Sequence, residues 1–304
     1  MGFIHILNEA VKILCKDPNF IIFTLLTSLP LFFSLFMYEG LYAHTITKAA
    51  KILHHDYKLT CLFCHQFETL DVVEKLIGQV SHNFVLLLIL HLGIFHLLEL
   101  LNTVATVNSA SSIYAGDKGL NLKDMFIKHL CDSRFKGPLI TSIYGLLLSF
   151  LLSMGLLSPS LYMYMTAEYV TFMVLFLLLF VALLTKYLEW STIWEMGTLI
   201  SVLEEKDGDV ALVVSAYFSR GNRISGILLM LFFLVWRFSL RLVGLFFGWN
   251  GGGTKILFIV LYIALLCLGN VFKWVAFLVY YSECRKGRSE KEVSASGEGE
   301  AISV

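Results

Sequence analysis

The sequence predicts an all-α membrane protein. About six transmembrane helices are joined by short cytoplasmic amphipathic helices, arranged as three repeated helix-hairpin units. Three observations carry this reading. Apolar residues make up 57% of the 304 residues and charged residues only 15%, against ~25% charged in a soluble domain. Several apolar runs exceed the ~18–20 residues that cross a bilayer. Lys and Arg are unevenly shared between the connections, as expected for helices inserted with one orientation. The formal net charge is zero, which argues against nucleic acid as a partner. Membrane lipids, and other membrane or cytosolic proteins, are the partners such a surface suits.

The elements follow in chain order. Ile4, Leu7, Val11 and Leu14 recur at helical spacing between Asn8, Glu9, Lys12 and Lys16, which predicts an interfacial helix over 4–16. The same charges interrupt a cleavable signal peptide, so the first span is expected to serve as an uncleaved signal. Ile6 stands where N-myristoylation after Met1-Gly2 wants Ser or Thr. Asp17-Pro18 reads as N-cap and first helical residue. The spans are expected at about 18–42, 83–108, 138–157, 169–190, 223–247 and 254–283. Pro30 is a predicted kink in the first, and Pro138 and Pro159 bound the third. The polar stretch 43–82 has room for helices around 47–53 and 70–80. Residues 1–288 form one transmembrane domain, and the Glu-, Ser- and Gly-rich residues 289–304 read as a disordered cytoplasmic tail.

The run from Glu189 to Arg223 organises the second half. Glu204, Glu205, Lys206, Asp207 and Asp209 fall within six residues and cannot lie in lipid. The expectation is two short surface helices joined at Asp207–Gly208, with Asp209 as an N-cap. With the N-terminus in the cytosol, fifteen Lys and Arg fall on that side and five on the other. Both termini are therefore expected in the cytosol, in an endomembrane derived from the endoplasmic reticulum or in the plasma membrane. The junctions AVKILCKDPNFIIFTLL, DMFIKHLCDSRFKGPLI and VVSAYFSRGNRISGILL suggest one unit used three times: surface helix, span in, span out.

Several motifs carry residue types suited to chemistry. Cys61-Leu62-Phe63-Cys64-His65 has the spacing of a c-type haem site, and with His54 and His55 it offers zinc donors. A local Cys61–Cys64 disulfide in a luminal loop is the simpler reading, so no cofactor or metal is assigned. Cys15, Cys131 and Cys284 lie at predicted cytoplasmic edges, the setting of S-palmitoylation. Trp190, Trp194 and Tyr187 read as an interfacial aromatic belt. On a straight helix the second span carries His91, His96, Glu99, Asn102, Thr103 and Thr106 within an arc of about 140°. Such a stripe must face the bundle or a wet cavity. Its partners are expected among Arg237 and Arg241 of the fifth span and Lys273 of the sixth. The expected pairs are Glu99–Lys273 and Glu39–Arg241, with Arg237 capping carbonyls or facing a cavity. The five-residue spacing of His91 and His96 does not fit a one-face metal pair. Neither a nucleophile elbow nor a phosphate loop is present, so no enzyme is read.

The stretch SVLEEKDGDVALVVSAYFSRGNRISGILLMLFFLVWR, with EWSTIWEMG before it and NEAVKILCKDPNFIIFTLL at the start, resembles a plant family of multi-pass membrane proteins of uncharacterised function. The spacing of Glu204, Gly208, Ala211, Ser215, Gly221 and Arg223 is more distantly similar to the six-span membrane domain of bacterial glycerophosphodiester phosphodiesterases. That resemblance implies a helical bundle and no catalytic residues. The functional expectation is a non-catalytic membrane protein that organises lipids or partner proteins through its cytoplasmic helices. The alternative is a transporter or channel built on the polar residues of the second, fifth and sixth spans.

Overall fold

The computed structural model describes residues 2–60, 78, 82–83, 85–116, 135–165, 170–204, 206–250 and 255–301. Among these there is no strand, and the elements are helices. They are α1 (Phe3–Lys16), α2 (Pro18–Thr60), α3 (Val85–Ala115), α4 (Lys136–Met165), α5 (Val170–Leu203), α6 (Gly208–Ser219), α7 (Arg223–Asn250) and α8 (Lys255–Ala301). Six of them, α2, α3, α4, α5, α7 and α8, are long and apolar enough to cross a membrane. Helices satisfy every backbone group within one segment, which is why a bilayer accepts them. The chain is a multi-pass membrane protein.

α8 is the centre of the bundle. From Val271 to Tyr281 every residue except the half-buried Phe272 is buried. A helix apolar all round needs neighbours on all sides. It packs against α1, α2, α3, α5, α6 and α7, and Phe277 and Tyr280 sit fully enclosed in the main core. A second cluster joins Leu31 and Leu35 of α2, Phe95 of α3, and Tyr262, Ile263 and Cys267 of α8. α4 lies to one side, packed mainly on α5 and α6. Gly226 marks a close crossing of α7 with α5 and α8. A Cβ there would stand 2.5 Å from Thr192 Cγ2 and 2.7 Å from the Tyr280 hydroxyl. Small residues let membrane helices approach in this way.

Several expected boundaries move. α2 passes through Pro30 without a break and runs to Thr60. α4 passes through Pro159 to Met165. The stretch after Glu189 is not a separate surface helix: it is the end of α5, with Trp194, Met196, Leu199 and Ile200 buried in the bundle. Its small and apolar residues find a packed neighbour in α6, which overrides the local turn signals. Asp207, not Asp209, is the N-cap of α6, and Asp209 lies in the first turn. Gly208 turns the chain there with φ +58, the left-handed region that glycine enters without strain, and its N–H donates to Thr141 Oγ1 at 2.9 Å.

α1 also differs from its predicted face. It buries Ile6, Ala10 and Ile13, while Ile4 and Val11 are exposed. Contact with α8 rotates the buried side toward Leu7 and Leu14, which are half-buried against the core. α8 extends through residues 289–301, where composition reads as an unstructured tail. The first and third repeat junctions show a short helix followed by a span; the second lies outside the described residues, as do the predicted helix around 70–80, Cys61, Cys64 and Cys131.

Gly226→Ala is expected to destabilise the protein by about 1–3 kcal/mol, the usual range for overpacking. Thermal unfolding in detergent checks this, with Gly155→Ala, which meets nothing within 4 Å, as the control.

Candidate functional site

α3 opens with a distortion. Leu90–Phe95 is a π-helical segment, and the His96 N–H reaches back five residues to the His91 carbonyl. Such insertions are frequent at functional sites. In a π turn a residue lies nearly over its i+5 neighbour, so His91 and His96 come to one face. On a straight α-helix they would stand about 140° apart. The distortion therefore regroups the predicted stripe. His91, His96, Glu99 and Thr103 line one cavity. Asn102 instead faces α2, where its Oδ1 accepts from Thr27 Oγ1 and Ser28 Oγ, both at 3.2 Å. Thr106 is fully buried.

The cavity has a volume of about 410 Å³, within the ~300–1,000 Å³ of ligand pockets. α3 forms one wall from Leu88 to Thr103, roughly 22 Å along the helix at 1.5 Å per residue. α4 forms the other with Ser142, Gly145, Ser149 and Ser153, a strip of hydroxyl and glycine positions at helical spacing. α5 contributes Trp194, Glu195 and Thr198, α7 contributes Arg237, and α8 contributes Lys273 and Trp274. The space tapers. Ser142, Thr103, Trp194 and Thr198 are buried at one end, where His96 Nε2 meets Ser142 Oγ at 3.2 Å. At the other end Leu88, His91 and Ser153 are exposed. The cavity is therefore closed toward the Ala115 end of α3 and open toward the Val85 end.

A second space of about 70 Å³ lies on the α2 side, lined by Leu31, Leu35, Trp236, Cys267 and Asn270. Glu99, Arg237, Lys273 and Phe95 line both spaces. Three charged side chains thus stand in the wall between two cavities inside the bundle.

The charge pairing departs from the sequence expectation at one point. Lys273 Nζ donates to Glu195 Oε1 at 2.9 Å, not to Glu99, and lies 4.5 Å from the Trp274 ring centre. The sequence places Glu195 on a surface helix. It reaches the core because α5 continues unbroken past it. Among the described residues, neither Glu99 nor Arg237 has an oppositely charged group within 4.0 Å. Arg237 faces both cavities and, among the described residues, caps no carbonyl. Arg241 pairs with Glu39, donates to the Tyr262 hydroxyl at 3.1 Å and stacks over Tyr42. It lines neither space, so it joins α2, α7 and α8 as a tie outside the site. Trp194 is buried, 5.9 Å from Tyr187 in an edge-on contact, and is cavity wall; Trp190 alone keeps the exposure of a belt residue. Of the candidate lipidation sites, Cys15 is exposed and Cys284 is buried, packed where no acyl chain could reach its sulfur. No group of three His, Cys, Asp or Glu is arranged to hold a metal among the described residues.

A family model described as a domain of unknown function (DUF8558) matches residues 1–294. The chain belongs to that family. Its description names no activity, no plant group and no phosphodiesterase. No curated protein and no solved structure matches the chain.

Outside the spans, Glu204 ties the α5–α6 turn to α8. It accepts from the Tyr281 hydroxyl and from Lys206 Nζ, with Arg285 at 3.8 Å. Burial raises its pKa, but those hydrogen bonds and charges outweigh burial and hold the carboxyl below the usual range. A depressed value stabilises the fold above the unfolded pKa, about 4.3, and that stability is lost as pH falls through the folded value. Glu204→Gln is expected to flatten the acid limb of stability against pH. Unfolding midpoints between pH 7 and pH 4 measure it.

Proposed function

We propose that this chain is a non-catalytic membrane carrier that takes a polar or charged ligand into the cavity between α3, α4 and α5. One observation carries the reading: a cavity of about 410 Å³ bordered by Glu99, Glu195, Arg237, Lys273 and two histidines within the spans. Ionised groups at that depth cost several kcal/mol when they serve only as packing. A smaller space behind the same charged wall supports a path with a constriction at Glu99, Arg237 and Lys273. The Lys and Arg bias supports a closed end on the cytosolic side.

The carrier reading requires water in the cavity. Ser149→Cys is expected to react with a membrane-impermeant thiol reagent at least about tenfold faster than Leu147→Cys, which faces lipid, after subtraction of the wild-type cysteines. Equal rates would end the proposal.

A second reading, organisation of lipids or partner proteins by α1 and α6, draws on exposed apolar side chains. Ile4 and Val11 on α1, and Val210, Val213 and Tyr217 on α6, lie open beside Lys12, Lys16 and Arg220. Anionic leaflets attract such basic edges by roughly 1 kcal/mol per charge. Replacing Ile4 and Val213 by Glu is expected to alter the lipids that copurify while Ser149→Cys labelling stays the same. An unchanged lipid profile would remove this reading.

A further inference from the structure

The cavity holds more than a polar lining: it holds two opposite charges without close partners among the described residues. Lys273 is committed to Glu195 at 2.9 Å. Arg237 and Glu99 face both spaces, and neither makes an ion pair within 4.0 Å among the described residues. An ionised group inside a span is costly unless a counter-charge meets it, so an unpaired cation and an unpaired carboxylate on one cavity mark where a ligand supplies both charges.

Charge balance narrows the ligand further. Arg237 and Lys273 offset Glu99 and Glu195 in formal charge. A simple anion would leave the cavity with a net negative charge in a medium of low dielectric. A ligand with its own cation would not. We infer that the cavity binds a zwitterion carrying an oxyanion and an ammonium on one molecule. The oxyanion takes the guanidinium of Arg237, and the ammonium takes Glu99. This rests on the carrier reading above and names its ligand class. Two sources share that chemistry: the headgroup of phosphatidylethanolamine, entering from the exposed end at His91 and Ser153, and a free zwitterion such as glycerophosphoethanolamine.

The test is retention on the purified full chain, read by native mass spectrometry against phosphatidylethanolamine, phosphatidic acid, free glycerophosphoethanolamine and inorganic phosphate. Wild type is expected to retain one of the zwitterions at least about fivefold better than the matching anion. The lipid arm identifies a headgroup, and the soluble arm a free solute. Glu99→Gln removes the site for the ammonium and is expected to erase that preference. Arg237→Gln removes the cation that meets the oxyanion and is expected to weaken zwitterion retention about fivefold. Wild-type retention of phosphatidic acid or phosphate equal to that of the zwitterions overturns the inference. So does a folded Glu99→Gln that keeps the wild-type preference, or a folded Arg237→Gln that binds as wild type. The thiol labelling of Ser149→Cys is independent of these outcomes, so a water-filled cavity with no zwitterion preference would defeat this inference and leave the carrier reading in place.

Discussion

An ammonium in the most densely packed helix of a membrane bundle sets the terms for everything around it. Lys273 is 9% exposed and sits in the run of α8 that is enclosed by six other helices. A lone charge there would be strongly unfavourable. The ion pair with Glu195 compensates it and fixes how α5 lies against α8. That placement brings Trp194 and Thr198 to the cavity wall and positions the end of α5 for its turn into α6. The cavity lies where α4, packed closely on α5 and α6, makes few contacts with α3 and lines the gap with Ser142, Ser149 and Ser153 beside Leu146 and Phe150.

Much of this architecture was legible in the sequence. Six spans, the short helices α1 and α6, and the polar character of α3 all follow from run length and periodicity, because lipid imposes one rule on every residue in a span. The Glu39–Arg241 pair was reachable because both residues lie at matched depth. The Lys273 partner was not. Glu195 lies in a stretch whose Trp residues and downstream acidic cluster suggest a membrane surface. Only the packing of Ser191, Met196 and Ile200 against other helices reveals that α5 continues. The π segment was equally hidden, since LHLGIF differs little from its α-helical flanks. It overturns the angles of an ideal wheel by one residue, which is enough to move His91 beside Glu99 and leave Asn102 for α2.

The serines of α4 are hidden in the sequence for a different reason. Ser142, Ser149 and Ser153 are unremarkable one at a time, and hydroxyls often bond back to their own helix, as Ser142 and Ser153 do to Leu139 and Phe150. Their meaning comes from what stands opposite. A site assembled from five helices draws residues at helical spacing from distant parts of the chain, so no contiguous motif records it.

The order of the charged residues along the chain bears on how the protein is built. Glu39, Glu99 and Glu195 precede Arg237, Arg241 and Lys273 in synthesis. An arginine or lysine near the centre of an inserting helix opposes insertion by ~2.5–3.5 kcal/mol, and α7 carries two within its span. By the time α7 and α8 leave the ribosome, the helices bearing the acids have already been made. Arg241 and Lys273 therefore enter a membrane where their counter-charges are waiting, and the early helices serve as an internal chaperone for the last two.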